Sequence, residues 1–455
     1  MTSLFRVVLA AWLLIASALA LPAVALAQEV EFGQPQARAV LGQPITFSTT
    51  IESASEPQAV ELLLRLPGER AVSVLPAQVS GSGQTWSAEA RLEGHVPPNS
   101  SFSYRFRARD VASGEETLGP EAQAVVRDER FAWRTLEGGI IRLHWYEGDE
   151  AFAGRALQIG EEAVANASEL LGVTETEPID FFIYDSEASM RVALGPGTRE
   201  NVGGQAHADI RTLFGLIEPH EVNSEWVDTL VSHELTHLVF DTATDNPYHS
   251  PPRWLNEGVA VLLSEGHTPA WRSAIDNAVR QGSLIPLDGL GGLFPTTAEQ
   301  FRLAYAESVS AVDFFVGTYD EPTLWSLVRS YAQGVSDDEA FEAATGADLA
   351  AFNAAWMGSL GVDVPQPLGP QPGPPGPLPA GWDTPEGTPR PTLAPGATPD
   401  PSQAPPPATA RPLPTPGEGE GDPRGDNLLL GLGAGVAVVL GVVALALVAR
   451  RRLLT

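Results

Sequence analysis

The chain has 455 residues, which is room for more than one domain, and its formal net charge is −30. So acidic a protein is a poor partner for nucleic acid or anionic lipid. All 27 basic residues are arginine and there is no cysteine, which excludes lysine Schiff-base chemistry, thiolate ligands and disulfides. Any metal must therefore be held by histidines and carboxylates.

The first 27 residues have the pattern of a secretory signal peptide. Arg6 is followed by an apolar run over residues 7–21, and the small residues Ala25 and Ala27 precede Gln28. We predict removal of residues 1–27 and exclude them from the fold. The alternative is an uncleaved N-terminal anchor.

Residues 28–130 are predicted to form an all-β sandwich of the immunoglobulin or fibronectin type. The clearest strand candidates are residues 44–53, 59–66, 85–94 and 101–110, each bounded by turn residues. In the last of them every second residue is apolar, as a half-buried strand requires. Short strands at this spacing over about 100 residues favour two packed sheets.

Residues 131–361 are predicted to form a separate α+β domain with a mixed-sheet lobe and a helical lobe. Residues 139–146 and 178–185 have the composition of strands, and residues 150–171 between them have helical periodicity. An extended stretch, residues 202–217, follows. The remainder of the domain is nearly all helical, which is typical of an α+β domain of two lobes.

The C-terminal part is predicted to be a stalk, a membrane span and a tail. Residues 362–427 are rich in proline and too polar to fold, whereas residues 428–449 are uncharged and long enough to cross a bilayer. The arginines of residues 450–455 favour a cytoplasmic tail, with all preceding domains extracytoplasmic at the cell membrane. The motif LPTPG (413–417) echoes a sortase sorting signal but departs from it at Pro416.

The stretch VSHELTHLVF carries the chemistry that the sequence makes visible. His233 and His237 are four residues apart, so a helix places them on one face, where both can reach one zinc ion. Glu234 points aside and can contact a water on that ion. The helix is predicted to begin near residues 223–224 and to end near Asp241. A surface helix with incidental histidines is the alternative.

A catalytic zinc ion needs a third protein ligand and an open position. No further histidine follows His237 at the metzincin spacing. A second predicted helix, in PPRWLNEGVAVLLSEG (251–266), instead carries Glu257 twenty positions later. Packed against the first helix, it can bring this carboxylate to the metal. Alternatively, Glu257 is a solvated acid at the start of a helix.

The pair SHELTHLV and PRWLNEGVA resembles the gluzincin, or peptidase MA-like, metallopeptidases, of a secreted bacterial type with an N-terminal sandwich. The resemblance covers about residues 131–360 and is specific only in these two motifs. It implies one Zn²⁺ per chain, held by His233, His237 and Glu257, with Glu234 as general base. It also implies a cleft between the two lobes.

Two departures from the family pattern bear on function. The aminopeptidase branch has a Gly-x-Met-x-Asn strand motif, and the equivalent segment here is GGQAHADI. This difference favours an endopeptidase over an aminopeptidase. The thermolysin branch has an aspartate four residues after the third ligand, where this chain has Val261, so no partner for His233 is indicated.

Tyr305 is the candidate donor to the oxyanion, because aminopeptidase-like gluzincins place a tyrosine in a helix after the third ligand. A tyrosine that simply packs in that helix is an equally good interpretation. His207 and His249 are weaker candidates and fit structural or surface positions better.

The predicted function is a membrane-anchored, extracytoplasmic zinc metallopeptidase acting on a peptide or protein substrate. A zinc-activated water would attack the peptide bond, with Glu234 as general base. One alternative is a non-enzymatic adhesion or scaffold protein with a relic zincin domain. Another is a zinc hydrolase of non-peptide substrates. The sequence indicates neither a particular substrate nor an oligomeric state.

Overall fold

A computed structural model describes residues 30–109, 114–196 and 203–364, all of which belong to one compact unit. The predicted signal peptide, membrane span and tail lie outside these residues, as does nearly all of the predicted stalk. Those assignments therefore stay predictions. Within the described ranges, no helix combines the length and apolar character that crossing a bilayer requires.

The N-terminal region is built entirely from strands. Its strands are β1 (Glu31–Phe32), β2 (Gln36–Arg38), β3 (Ile45–Glu52), β4 (Val60–Arg65), β5 (Ser73–Pro76), β6 (Gln78–Ser82), β7 (Thr85–Leu92), β8 (Ser101–Arg109), β9 (Glu116–Leu118) and β10 (Ala122–Val125).

These strands form two sheets that share one hydrophobic core. One sheet has the order β1-β3-β7-β6 with β2 also on β3, and the other has the order β10-β8-β4-β5 with β9 also on β8. Phe47 of β3 packs edge-on against Phe102 and Tyr104 of β8, with ring centroids 5.7 and 4.8 Å apart. This strand order is typical of immunoglobulin-like sandwiches.

The next region contains a third sheet, of β11 (Arg134–Gly138), β12 (Ile141–Trp145), β13 (Ile179–Tyr184), β14 (Gly204–His207) and β15 (Thr212–Leu216). Its order is β11-β12-β13-β15-β14, with β12, β13 and β15 parallel and β14 antiparallel at the edge. The predicted strand segments contain β12 and β13, and the predicted extended stretch contains β14 and β15. Neither β11 nor the helix after β13 was predicted.

Helices pack on this sheet and then continue alone to the end of the described chain. They are α1 (Glu150–Leu171), α2 (Glu187–Leu194), α3 (Glu225–Thr244), α4 (Arg253–Ser264), α5 (Pro269–Gln281), α6 (Ala298–Tyr319), α7 (Glu321–Ser330), α8 (Asp337–Thr345) and α9 (Leu349–Ser359).

The sequence signals account well for α1 and less well for the end of α3. The Asp149 side chain accepts the N–H of Phe152 at the start of α1, and Gly172 takes a left-handed conformation at its end. The α3 helix continues three residues beyond the predicted Asp241, because Ala243 and Thr244 are buried in the core. Tertiary packing therefore extends this helix.

The sandwich and the α+β region meet through buried polar groups. Asn99 of the sandwich donates from Nδ2 to Asp180 Oδ2 at 2.9 Å and to Thr212 Oγ1 at 2.8 Å. Near the junction, the Tyr184 hydroxyl donates to Asp128 Oδ2 at 2.9 Å. Because buried polar groups are costly without partners, these bonds tie the two regions together.

Glu307 on α6 is a buried carboxylic acid. Its Oε1 accepts the N–H of Ile285 at 2.9 Å, and its Oε2 has no hydrogen-bond partner among the described residues. Burial raises the pKa of Glu307 from 4.5 to about 8, although that backbone hydrogen bond opposes the rise. The folded chain thus binds this proton more tightly than the unfolded chain. The resulting stabilisation is complete below pH 4.5 and is lost as pH rises through about 8.

The Glu307→Gln variant is expected to be more stable than wild type in alkali. Glutamine keeps an acceptor for Ile285 but cannot ionise, so its Tm at pH 9 should exceed that of wild type by on the order of 5 °C. At pH 5 the difference should be small. Thermal unfolding across pH measures this, with exposed Glu342→Gln as the control; parallel pH profiles for wild type and Glu307→Gln would refute it.

Candidate metal centre

Two histidines of the site come from a helix that is buried on nearly all sides. Leu230, Val231 and Leu235 of α3 are each at most 2% exposed, so the helix runs through the core. His233 and His237 lie one turn apart on it, and their Nε2 atoms are 3.1 Å apart. The core thus holds two imidazoles whose Nε2 atoms converge.

The α4 helix brings a carboxylate to the same place. Glu257 is fully buried, and its Oε2 lies 3.6 Å from Nε2 of His233 and 3.5 Å from Nε2 of His237. A tetrahedral zinc ion with bonds of about 2.0–2.1 Å would separate its ligand atoms by about 3.3 Å. The triangle of donor atoms therefore fits zinc, and these three residues form a group that could hold a metal ion.

The ionisation of these groups also suits a cation. Burial lowers the pKa of His233 to about 4, so its imidazole is neutral and keeps a lone pair for a metal. Burial tends to raise the pKa of Glu257, but the interaction of its carboxylate with the nearby imidazoles of His233 and His237 outweighs burial and holds the pKa below its usual range. Burial would lower the pKa of His237 as well, but the nearby negative carboxylate of Glu257 raises it, so a metal that binds Nε2 of His237 would take the place of a proton.

Asn256 contacts one of the candidate ligands and was not singled out from the sequence. Its Oδ1 lies 2.7 Å from Nδ1 of His237. An amide oxygen only accepts, so Nδ1 of His237 carries the proton and Nε2 is left free for a metal. A polar amide directly before Glu257 in an apolar helix was the available signal. By contrast, Nδ1 of His233 is buried and has no partner among the described residues, and Val261 is apolar and buried.

Glu234 lies beside the donor triangle, held by the edge of the sheet. Its Oε2 accepts the backbone N–H of Ala206 on β14 at 2.9 Å, and its Oε1 is buried with no partner among the described residues. Burial raises the pKa of Glu234 to about 8. A positive charge nearby, on His237 or on a metal ion held by the triangle, lowers this pKa and would leave the carboxylate ionised and able to accept a proton. A backbone N–H leaves no trace in the sequence, so this contact could not be predicted.

Tyr305 lies on α6 against the same site. Its ring centroid is 6.3 Å from that of His233, and its hydroxyl is buried with no hydrogen-bond partner among the described residues. Burial, followed by the negative charge of Glu257, raises the pKa of Tyr305 well above its usual value of 10.0. The hydroxyl therefore stays protonated and can donate.

A glycine sets the distance between α4 and α6. A Cβ added to Gly258 would lie 2.5 Å from the carbonyl oxygen of Ser308, which is one turn from Tyr305. Glycine at this position lets the two backbones approach closely. This contact keeps Glu257 and Tyr305 near each other.

The two weaker histidine candidates lie outside the donor triangle. His207 on β14 packs edge-on against Phe214 with ring centroids 5.3 Å apart, and burial lowers its pKa to about 4. Nε2 of His249 lies 2.9 Å from Asp337 Oδ1, and its ring stacks on Tyr331. Both side chains have roles in packing.

A cavity of about 630 Å³ lies between the start of α3 and the end of α4. Thr229 and Trp226 line it from the same face of α3 that carries His233, and Arg302 lines it one turn before Tyr305. The cavity thus begins about one helical turn from the site residues.

Residues 159–361 match the family model described as the Peptidase MA superfamily. The match includes both motifs and α3, α4 and α6, so the resemblance to gluzincins is supported at the level of the superfamily. No curated protein matches the chain.

Solved structures that match the chain include an M1 zinc metallopeptidase from Deinococcus radiodurans. It is 13% identical, with coverage of 76% of this chain and 96% of the other and a TM-score of 0.34. An aminopeptidase N family protein from Idiomarina loihiensis is 12% identical, with coverage of 74% and 71% and a TM-score of 0.29.

Proposed function

We propose that the chain is a zinc metallopeptidase that hydrolyses peptide bonds. The observation that carries the proposal is the triangle of Nε2 of His233, Nε2 of His237 and Oε2 of Glu257, with edges of 3.1, 3.5 and 3.6 Å. The carboxylate of Glu234 lies beside it, and the superfamily match includes all these residues.

In this proposal each residue of the site has a separate role in hydrolysis. When bound, zinc supplies Lewis-acid chemistry, polarising a carbonyl oxygen and easing the deprotonation of water. Glu234 accepts the proton of the attacking water at Oε1, because the N–H of Ala206 already occupies Oε2. It then passes that proton to the leaving amine. The hydroxyl of Tyr305 donates to the developing oxyanion.

The surroundings favour a peptide over other substrates. The edge strand β14 ends one side of the sheet and holds Glu234 through Ala206. An extended peptide that adds to such an edge forms main-chain hydrogen bonds along it and passes in front of the base. The nearby cavity lined by Trp226 and Arg302 is large enough to take a side chain of that peptide.

We further propose internal cleavage over removal of single N-terminal residues. The chain lacks the Gly-x-Met-x-Asn motif, and GGQAHADI stands in the corresponding strand region. Glu234 is the site carboxylate that contacts this strand, through Ala206. Because Glu234 is the proposed general base, it is not free to bind the amine of a substrate. Peptides with blocked N-termini should therefore be cleaved as well as free ones.

The test is zinc analysis combined with cleavage of a peptide library. We expect about one zinc per chain, loss of cleavage after treatment with a chelator, and recovery when zinc is added back. Half of the library should carry acetylated N-termini. A zinc-loaded protein that cleaves no peptide would overturn the peptidase proposal, and cleavage confined to free N-termini would overturn the endopeptidase assignment.

A further inference from the structure

Arg253 stands at the first position of α4, four residues before Glu257. Its backbone N–H donates to the carbonyl oxygen of Gly291 at 2.8 Å, which fixes the start of the helix. Its side chain is 18% exposed, and that of Glu257 is 1% exposed. The ion pair between them is therefore largely removed from water. The attraction between opposite charges is stronger in such a place than in water.

The guanidinium treats the two oxygens of Glu257 differently. Nε and Nη2 of Arg253 lie 3.2 and 3.1 Å from Oε1. Oε2 has no hydrogen bond and is the oxygen that faces His233 and His237. One oxygen is thus occupied by a cation of the protein, and the other is left for the metal.

The guanidinium is itself held from its other side. Its central carbon lies 4.7 Å from the ring centroid of Phe294, a cation–π contact. Phe294 is buried and meets Tyr305 edge-on, with ring centroids 5.5 Å apart. Arg253 therefore cannot swing away without disturbing a packed aromatic pair.

We propose that Arg253 is a positioning residue that restricts Glu257 to binding zinc through Oε2 alone. The inference rests on the proposed zinc site and adds the mode of ligation to it. A carboxylate can bind a metal through one or both oxygens. Holding Oε1 on the guanidinium would prevent the second mode and would leave room at a bound zinc ion for water or substrate.

A purely structural ion pair is the competing explanation, and the chain offers a matched control. Arg191 and Glu187 on α2 are also four residues apart, at 3.9 Å, with side chains 47% and 41% exposed. The helix that carries this pair supplies none of the three donor residues. Arg191→Met should therefore leave the zinc site unchanged.

The experiment compares full-length wild type, Arg253→Met, Arg253→Lys and Arg191→Met. Zinc affinity is measured by competition with a chelator, and the number and distances of zinc ligands by X-ray absorption of the zinc-loaded proteins. We expect Arg253→Met to bind zinc about 10–100-fold more weakly, with a changed zinc–oxygen distance or a changed number of oxygen ligands. Arg253→Lys should recover part of the affinity, because its ammonium is a cation without the planar fork.

Circular dichroism establishes that each variant is folded, and Arg253→Gln replaces Arg253→Met if the latter is not. Zinc affinity within about twofold of wild type, together with an unchanged absorption spectrum, would overturn the role of Arg253. An equal loss in Arg191→Met would do so as well. A wild type that binds no zinc would instead overturn the proposed function, so the two failures are distinguishable.

Discussion

The Glu234→Gln variant is expected to lose peptide cleavage by about 100- to 10,000-fold while retaining zinc. The size of the loss is that of removing a general base. Zinc should remain because Glu234 lies outside the donor triangle of His233, His237 and Glu257. Glutamine still offers an oxygen to the N–H of Ala206, so the local structure should persist.

Steady-state cleavage of the best library peptide and zinc analysis of the same preparation measure this. Glu342→Gln, which removes an exposed carboxylate of α8 outside both the donor triangle and the cavity lining, is the control and should cleave at the wild-type rate. A Glu234→Gln variant as active as wild type would show that another group takes the proton from water.

The Glu257→Gln variant is expected to lose zinc. A neutral amide is a poor ligand for a divalent cation beside two imidazoles, and the change removes the one negative charge from the triangle. Zinc affinity should fall by at least about 100-fold. Mutating a residue that only hydrogen-bonds to a metal ligand already lowers metal affinity by about 10–100-fold. The folded state should also be less stable, because Arg253 loses its buried partner.

Zinc bound after exhaustive dialysis, together with chelator competition, gives the measurement. Glu265→Gln is the control, since Glu265 caps the other end of the same helix and lines the cavity outside the triangle. If Glu257→Gln holds zinc as tightly as wild type, the third ligand is another residue.

The donor triangle was predictable because its geometry follows from local spacing. Two histidines four apart on a helix must share a face, and the pattern around them is too apolar for a surface helix. Glu257 required one further step, that a second helix packs on the first. Gly258 lets α4 also lie close to a third helix, α6. This role emerges only from the contact of Gly258 with Ser308.

The partners of the triangle were not predictable in the same way. Ala206 acts through its backbone, and Arg253 acts through a carboxylate that the sequence already assigned to the metal. Asn256 precedes Glu257 directly, yet its target, Nδ1 of His237, lies on a different helix. Such contacts depend on how helices cross, which periodicity does not determine.

The same limit applies to the sandwich. Its four predicted segments contain the long strands β3 and β8 as well as β4 and β7. Strands of two to five residues, such as β1 and β6, are too short for alternation to be visible above turn composition. They form only because the longer strands offer paired edges.

The polar junction at Asn99 fixes the sandwich to the sheet that contacts the site. Asp180 accepts from Asn99 of the sandwich and also from Arg142 Nε at 2.9 Å, so one carboxylate is shared across the junction. Thr212, the second acceptor of Asn99, belongs to the strand next to the edge strand that holds Glu234. The sandwich and the edge strand that holds Glu234 are therefore connected through one hydrogen-bonded junction, so a displacement of the sandwich would be transmitted to the sheet beside the site.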